Sequence, residues 1–179
     1  MCAHEDFIPT LAAAAGETQL VEKLKTGHTL SGKTFKVYLD GNNLLPFFRG
    51  EVAKSPREEF LYWNDDGELM ALRIRDWKIT FMEQHNEVNP KTPIGVWQGN
   101  FTKLRGPMLY NLRADPFERG PDSILYGNWQ VRRAFAFVPA QAIVARYLES
   151  FKDFPPRAKS ASFSVSDVMD KIMANAGKN

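Results

Sequence analysis

Short segments with alternating apolar residues constrain the fold of this chain more than any other feature. Aromatic and aliphatic residues at 60–63 and 69–75 flank Asn64-Asp65-Asp66-Gly67, and an Asp-Gly pair in that setting is typical of a hairpin turn. Apolar residues alternate with polar ones again at 77–81. Alternation with period two is typical of strands with one buried face. The pattern therefore predicts an antiparallel sheet whose apolar face needs a cover.

A helical stripe further along the chain can supply that cover. Pro139 suits a first helical position, and one face behind it is apolar at Ile143, Val144, Tyr147, Leu148 and Phe151. A fourth strand is predicted at 108–112. The segment from Glu83 to Pro107 is rich in Asn, Pro and Gly, which predicts a long loop with a short strand near Val96-Trp97.

The N-terminal part alternates helix and strand signals. Helices are predicted at 5–15, before Gly16, and at 19–25, before Gly27. A strand is predicted at 33–39, and then a brief helix at 44–48 that Asn42 or Asn43 caps. A last short helix is predicted to begin at Ser164 or Ser166. The fold class is therefore α+β, a small antiparallel sheet of about four strands that a carboxy-terminal helix covers and short helices precede.

Composition excludes several classes of protein. The chain has 179 residues, 44% of them hydrophobic, and its 23 basic and 21 acidic side chains nearly cancel, which excludes a disordered tail and a polybasic nucleic-acid arm. One cysteine and three histidines show no zinc spacing. No apolar run approaches the ~20 residues of a membrane span, and residues 1–15 do not resemble a signal peptide. We expect a soluble chain that binds neither nucleic acid nor membrane.

Nucleotide-binding and hydrolase motifs are missing from the sequence. There is no phosphate-binding Gly-Lys-Ser loop, no Gly-x-Ser-x-Gly and no His-Glu-x-x-His. Asp65-Asp66 is compatible with calcium, but a hairpin turn explains it better, because the position where a calcium-binding loop has Glu is Asp76. Cys2 lacks basic neighbours other than His4, which favours an inert side chain over a reactive thiol.

Two further groups of residues have a binding and a structural interpretation. His85, Trp97 and Phe101 are placed either to line a pocket or to fold back on the sheet. The side chains of Arg73, Arg75 and Lys78 either attract an anion or form a solvated or acid-paired sheet face. We expect the structural role in both cases. The sequence predicts no catalytic, cofactor-binding or metal-ligating residue.

Several weak motifs occur in one order along the chain. They are His4–Leu11 with the alanines before Gly16, Leu39-Asp40-Gly41 before Leu45-Pro46 and Gly50, Asp65-Asp66-Gly67, Ala71-Leu72-Arg73 with Asp76-Trp77-Lys78, Leu109–Leu112 before Asp115-Pro116-Phe117-Glu118, Pro139-Ala140-Gln141, and Phe154-Pro155-Pro156-Arg157. In this order the chain resembles the carboxy-terminal portion of bacterial arylsulfatases of the alkaline-phosphatase-like superfamily.

The resemblance implies a small four-stranded domain that packs against a large α/β catalytic domain. It also implies sulfate-ester hydrolysis beside calcium, by a formylglycine made from Cys or Ser in Cys/Ser-x-Pro-x-Arg. Neither Cys2-Ala3-His4-Glu5 nor Ser55-Pro56-Arg57 has that spacing. Residues 1–30 are therefore expected to be terminal helices of the catalytic domain, and residues 31–179 the carboxy-terminal α+β domain.

The predicted function is that of a carboxy-terminal arylsulfatase fragment without catalytic competence of its own. Calcium and formylglycine are expected in the full-length family and not in this chain. The expected partner is a sulfatase catalytic domain, in cis or in trans. A sulfate-ester substrate is expected to bind only to the parent enzyme that contains this domain. The alternative is a stand-alone interaction module that docks a separate catalytic half through the surface from Phe7 to Leu24. An unrelated small enzyme would have to rely on His85 and the basic strand face.

Overall fold

A four-stranded antiparallel sheet with a helix against one face forms the centre of the protein. The structure, a computed structural model, describes residues 1–84 and 99–155. Its regular elements are α1 (Phe7–Ala14), α2 (Leu20–Thr26), β1 (His28–Leu30), β2 (Lys33–Phe35), α3 (Leu45–Phe48), β3 (Glu59–Trp63), β4 (Leu69–Ile74), β5 (Trp77–Gln84), β6 (Phe101–Asn111), α4 (Tyr126–Val131) and α5 (Phe137–Ser150), with single 3-10 turns at His4–Asp6, Gly120–Asp122 and Ala134–Ala136. The order β3-β4-β5-β6 confirms the predicted α+β class.

The β3–β4 hairpin confirms the strongest signal of the sequence. The side-chain oxygen of Asn64 accepts hydrogen bonds from the N–H groups of Asp66 and Glu68, at 3.1 and 2.7 Å. Gly67 follows with φ +79°, a conformation that glycine adopts without steric strain. The Asn64 side chain thus stabilises the turn by accepting two backbone hydrogen bonds. Asp65-Asp66 belongs to a hairpin turn, as predicted.

The predicted loop from Glu83 to Pro107 is wrong at both ends. β5 extends to Gln84, β6 begins at Phe101, and the two strands pair there. The sequence did not predict a strand here because it contains Gly106 and Pro107, and both residue types are rare inside sheets. β6 is an edge strand, where a proline is tolerated, and the pairing with β5 shifts register between Thr80 and Met82. The strand predicted near Val96-Trp97 lies outside the described residues.

Helix α5 covers the sheet and builds the core. Leu72, Ile79 and Leu109, one from each of three strands, are fully buried against Ala136 and Ala140. Small residues at these points let the helix approach the strands closely. The predicted stripe is confirmed for Ile143 and Val144, which pack on this core, whereas Leu148 is 46% exposed. The helix begins at Phe137, so that Pro139 lies in its first turn, where no N–H partner is lost.

The N-terminal part follows the predicted order with one correction. α1 and α2 end before Gly16 and Gly27 as predicted. The strand predicted at 33–39 is regular only at Lys33–Phe35, where it pairs with β1, a strand that the sequence analysis missed. Beyond it the chain leaves this two-stranded sheet, and Val37 N–H bonds the Leu24 carbonyl instead. Phe35, Val37 and Leu39 are half-buried, so the alternation at 33–39 reflects one half-buried side of the segment and not a long ladder.

Of the two other short helices that the sequence predicts, the described residues include one. The brief helix at 45–48 is confirmed, and the Asn43 side chain accepts a hydrogen bond from Leu45 N–H at its start. The helix predicted from Ser164 or Ser166 lies outside the described residues. Within 1–84 and 99–155, the structure contains no helix with the length and apolar character needed to cross a bilayer.

Helix α4, which the sequence analysis also missed, forms hydrogen bonds with backbone groups on the outer edge of β6. The Tyr126 hydroxyl donates a hydrogen bond to the Leu109 carbonyl and accepts one from the Leu109 N–H, both at 2.9 Å. Gln130 donates to the Pro107 carbonyl at 2.6 Å. Two side chains of one short helix thus occupy backbone groups that strand pairing would otherwise use.

Replacing Tyr126 by Phe tests the contribution of this edge. The change removes one hydroxyl and leaves the N–H and carbonyl of the buried Leu109 without their partner, so we expect a loss of about 2 kcal/mol in the free energy of unfolding. Urea unfolding of the purified chain measures it. Tyr62→Phe is the control, because it keeps the ring beneath Lys78. Equal stability of the two variants would contradict this role.

Candidate docking interface

Helix α1 has a buried face and an exposed apolar face. Pro9, Thr10 and Ala13 are buried against the protein. On the other side Phe7, Ile8 and Leu11 are 49%, 58% and 65% exposed, and these three residues are called the α1 face below. Adjacent exposed apolar side chains on one helix are typical of a surface that contacts another protein.

The segment 40–44 holds the buried side of α1. The Thr10 hydroxyl accepts a hydrogen bond from Leu44 N–H at 2.9 Å and donates one to the Asn42 carbonyl at 3.3 Å. Gly41 passes so close to the preceding 3-10 turn that a Cβ there would lie 2.0 Å from the Glu5 carbonyl oxygen. Only glycine fits where these two backbone segments meet. The glycine at position 41 therefore allows the turn before α1 to lie this close to the segment 40–44.

A buried ion pair ties this assembly to the sheet. Arg57 donates to both carboxylate oxygens of Asp6, through Nε at 2.7 Å and Nη2 at 2.6 Å. The Asp6 carboxylate also accepts from the N–H groups of Ala3 and Asn42, at 2.8 and 2.7 Å. The side chains of Asp6 and Arg57 are 1% and 5% exposed. Fork-like pairing with full use of both oxygens is the geometry that stabilises a buried pair.

Arg57 has partners beyond Asp6. Its guanidinium forms an ion pair with Glu5 at 2.7 Å and donates to the carbonyls of Asp40 and Glu59, at 2.9 and 3.0 Å. We call Glu5, Asp6, Asp40 and Arg57 the Arg57 cluster. Since Glu59 begins β3, the cluster connects the N-terminal helix directly to the edge of the sheet.

The acids of the cluster differ in their pKa values. Burial by itself would raise the pKa of Asp6, but hydrogen bonds from Arg57, Asn42 and Ala3 bring it below its ordinary value. For Glu5 and Asp40 desolvation dominates, so both pKa values rise despite the nearby Arg57. Burial and the neighbouring Asp40 carboxylate raise the pKa of Tyr147. Asp6 is thus the acid of the cluster whose charged form the hydrogen bonds favour most.

The described residues do not fit the calcium centre that the resemblance implies for the full-length family. In residues 1–84 and 99–155, no three His, Cys, Asp or Glu side chains lie where they could hold a metal ion. The carboxylate of Asp6 is turned onto a guanidinium, which already supplies the compensating charge. Cys2 is a free, exposed cysteine.

The basic strand face is paired, as the structural interpretation predicted. Lys78 binds both carboxylate oxygens of Glu118 at 2.7 and 2.8 Å and lies over the Tyr62 ring. Arg75 pairs with Glu58 at 2.7 Å. Arg73 donates to the Arg75 carbonyl at 2.9 Å. These contacts anchor the sheet edge and the turn after β6.

The structure describes only part of the predicted pocket residues and all of the predicted docking surface. His85 and Trp97 lie outside the described residues, and Phe101 is half-buried at the start of β6. In the predicted docking surface from Phe7 to Leu24, the large apolar side chains of Leu20, Val21 and Leu24 are half-buried. The exposed large apolar side chains of this surface are therefore those of the α1 face. The pairing of Asp6 with Arg57 was missed, because 51 residues separate them. The two acids Glu5 and Asp6 before α1 were visible in the sequence, but acids are ordinary residues at the start of a helix.

Comparison with known proteins places this geometry in a family. Residues 55–167 match the family described as the C-terminal region of aryl-sulfatase, which is more than half of the chain. The chain belongs to that family. Arg57 lies inside the matched arylsulfatase region, whereas Glu5, Asp6 and Asp40 precede it. The Arg57 cluster therefore joins the C-terminal region to residues outside it.

One solved structure and one negative result complete the comparison. The crystal structure of PsFucS1 sulfatase from Pseudoalteromonas sp. is 25% identical in sequence, with a TM-score of 0.47. The match covers 66% of this chain and 22% of that sulfatase, so the chain spans a small part of its length. No curated protein matches the sequence.

Replacing Arg57 by Met tests the joint between α1 and the arylsulfatase region. The change leaves the buried Asp6 carboxylate without its cation, so we expect a loss of about 3–5 kcal/mol in the free energy of unfolding. Arg75→Met is the matched control, since it removes an exposed ion pair worth less than about 1 kcal/mol. Denaturant unfolding followed by circular dichroism compares them. Similar losses in both would show that the Arg57 cluster does not stabilise the fold.

Stability should depend on pH through Glu5. Because its folded pKa is raised above the ordinary 4.5, charged Glu5 is disfavoured in the folded protein, and its contribution to stability is lost as pH rises through the folded pKa. Glu5→Gln removes that loss. The stability of this variant relative to the parent should therefore increase from acidic to neutral pH in urea unfolding series. A constant difference would contradict the raised pKa.

Proposed function

We propose that this chain acts as the C-terminal part of an arylsulfatase, where it supports the catalytic domain and performs no sulfate-ester hydrolysis by itself. In this role residues 1–30 complete the catalytic domain, and residues 31–179 form the α+β domain beside it. The observation that carries the proposal is the α1 face, three exposed apolar side chains on a helix whose other side is fixed to the sheet by the Arg57 cluster. Membership of the family supports it independently.

The rigid seating of α1 explains why such a face suits a permanent partner. A helix that is held by a buried ion pair and by Thr10 presents its outer residues in one orientation, so that little conformational entropy is lost on docking. Burial of Phe7, Ile8 and Leu11 would then contribute as apolar side chains do in a core. A catalytic domain in the same polypeptide and one supplied in trans would use the same contact.

The α1 face can be tested with a separately produced arylsulfatase catalytic domain from which its own C-terminal region has been removed. We expect the chain to bind this domain, and the double variant Ile8→Ser with Leu11→Ser to weaken binding at least about tenfold, since two buried aliphatic side chains are worth more than 1.4 kcal/mol. Isothermal titration calorimetry measures the affinities. Ile124→Ser, at a fully exposed residue of the turn before α4, is the control and should bind as the parent does.

Two results would contradict the proposal. One is calcium-dependent hydrolysis of 4-nitrophenyl sulfate by the chain alone, at a rate that follows the protein through purification. The other is binding of the catalytic domain that the Ile8 and Leu11 changes leave intact. Reading the genomic DNA upstream of codon 1 separates action in cis from action in trans, because a frame that encodes Cys/Ser-x-Pro-x-Arg places the partner in the same polypeptide.

A further inference from the structure

An apolar groove of about 740 Å³ runs along one flank of α5. Three strands supply its floor, with Leu69 from β4, Phe81 from β5 and Pro107 from β6. Its wall is the flank of α5 from Phe137 to Leu148, and the Leu148 side chain is 46% exposed. The apolar face of the sheet is therefore open to water beside the helix.

The lining and the length of the groove favour a helix as its occupant. Small-molecule sites add several placed polar groups to an apolar lining, and these groups orient the ligand. Among the described residues that line this groove, none is charged and only Gln141 is polar. The α5 wall from Phe137 to Leu148 is about 16 Å long, which is three turns of a helix. Apolar grooves of this shape bind amphipathic helices through residues at i, i+3, i+4 and i+7.

The sequence that follows α5 contains a segment with this spacing, which lies outside the described residues. Its four apolar residues, called the anchor residues below, are Val165, Val168, Met169 and Ile172. The residues between them are polar, and Ser164 and Asp167 have the spacing of a capping box, which predicts a helix that begins after Ser164. A helix of about ten residues is marginal in water by itself, so it depends on a surface that buries its apolar face.

The described chain leaves α5 close to one end of the groove. The ring centres of Phe151 and Trp63 are 5.9 Å apart, and Trp63 pairs with Leu69, which lines the groove. Residues 156–163, which number eight, separate Pro155 from Ser164. Fully extended, they span about 26 Å, which is more than the length of the groove. The segment that begins at Ser164 can therefore reach every part of it.

We propose that residues 164–173 dock as an amphipathic helix in this groove of their own chain. The anchor residues pack against the α5 wall and the strand floor, and the polar residues between them face water. Docking removes apolar side chains of both the segment and the groove from water. The segment and α5 together then cover the apolar face of the sheet. The inference goes beyond the proposed function and does not depend on it.

A spin label on the segment tests this placement in the full chain. Cys2 is the single cysteine, so Cys2→Ser with Asp170→Cys leaves one thiol for a nitroxide, on the polar side of the predicted helix. We expect the methyl NMR signals of Leu69, Val144 and Leu148 to lose most of their intensity through paramagnetic relaxation. The same sample with its nitroxide chemically reduced gives the reference intensities.

Two double variants of the labelled chain separate docking from chance proximity. Val168→Asp with Ile172→Asp places two carboxylates where the groove is apolar, so we expect the methyl signals to return to their reference intensities. Ser166→Asp with Lys171→Asp is the matched control. It adds the same two groups on the polar side and should leave the intensity loss unchanged.

Three outcomes would overturn the proposal. One is full intensity of all three methyl signals in the labelled chain. The second is an intensity loss that Val168→Asp with Ile172→Asp leaves unchanged. The third is an equal loss when the nitroxide and the observed methyl groups are on different molecules in a mixed sample. That result would show that a second copy of the chain, and not the same chain, fills the groove.

Discussion

The bidentate pair between Asp6 and Arg57 is the interaction on which the arrangement of this protein depends. Each group would be costly to bury alone, and together they satisfy one another while the N–H groups of Ala3 and Asn42 complete the carboxylate. The pair sets the position of α1 on the sheet. The α1 face follows Asp6 directly in the chain, so the candidate interface takes its orientation from this pair.

Much of the sheet could be predicted from the sequence because its signals are local. The Asp-Gly turn and the alternation at 69–81 are properties of neighbouring residues, and the hairpin and β5 follow from them. The start of β6 could not be predicted in the same way. Gly106 and Pro107 interrupt the pattern, and the strand exists because β5 offers it a partner. Long-range pairing overrides local propensity there.

The candidate interface was predictable only in part for a related reason. Exposed apolar residues at Phe7, Ile8 and Leu11 are visible as a helical pattern, but the sequence does not show which helix face the protein itself covers. That choice is made by Arg57, which is 51 residues from Asp6 along the chain. A buried ion pair between distant residues leaves little trace in a single sequence, since Asp and Arg are common surface residues.

The contact of Tyr126 with Leu109 has a consequence for how larger assemblies can be built. A sheet normally grows when a new strand binds the free backbone groups of its outermost strand, and at Leu109 a phenol already occupies both groups. Pro107 offers no N–H, and Gln130 takes its carbonyl. A neighbouring domain therefore cannot continue the hydrogen-bond ladder through this point. It has to be joined through side chains, which makes shape and not backbone pairing the basis of recognition on that side.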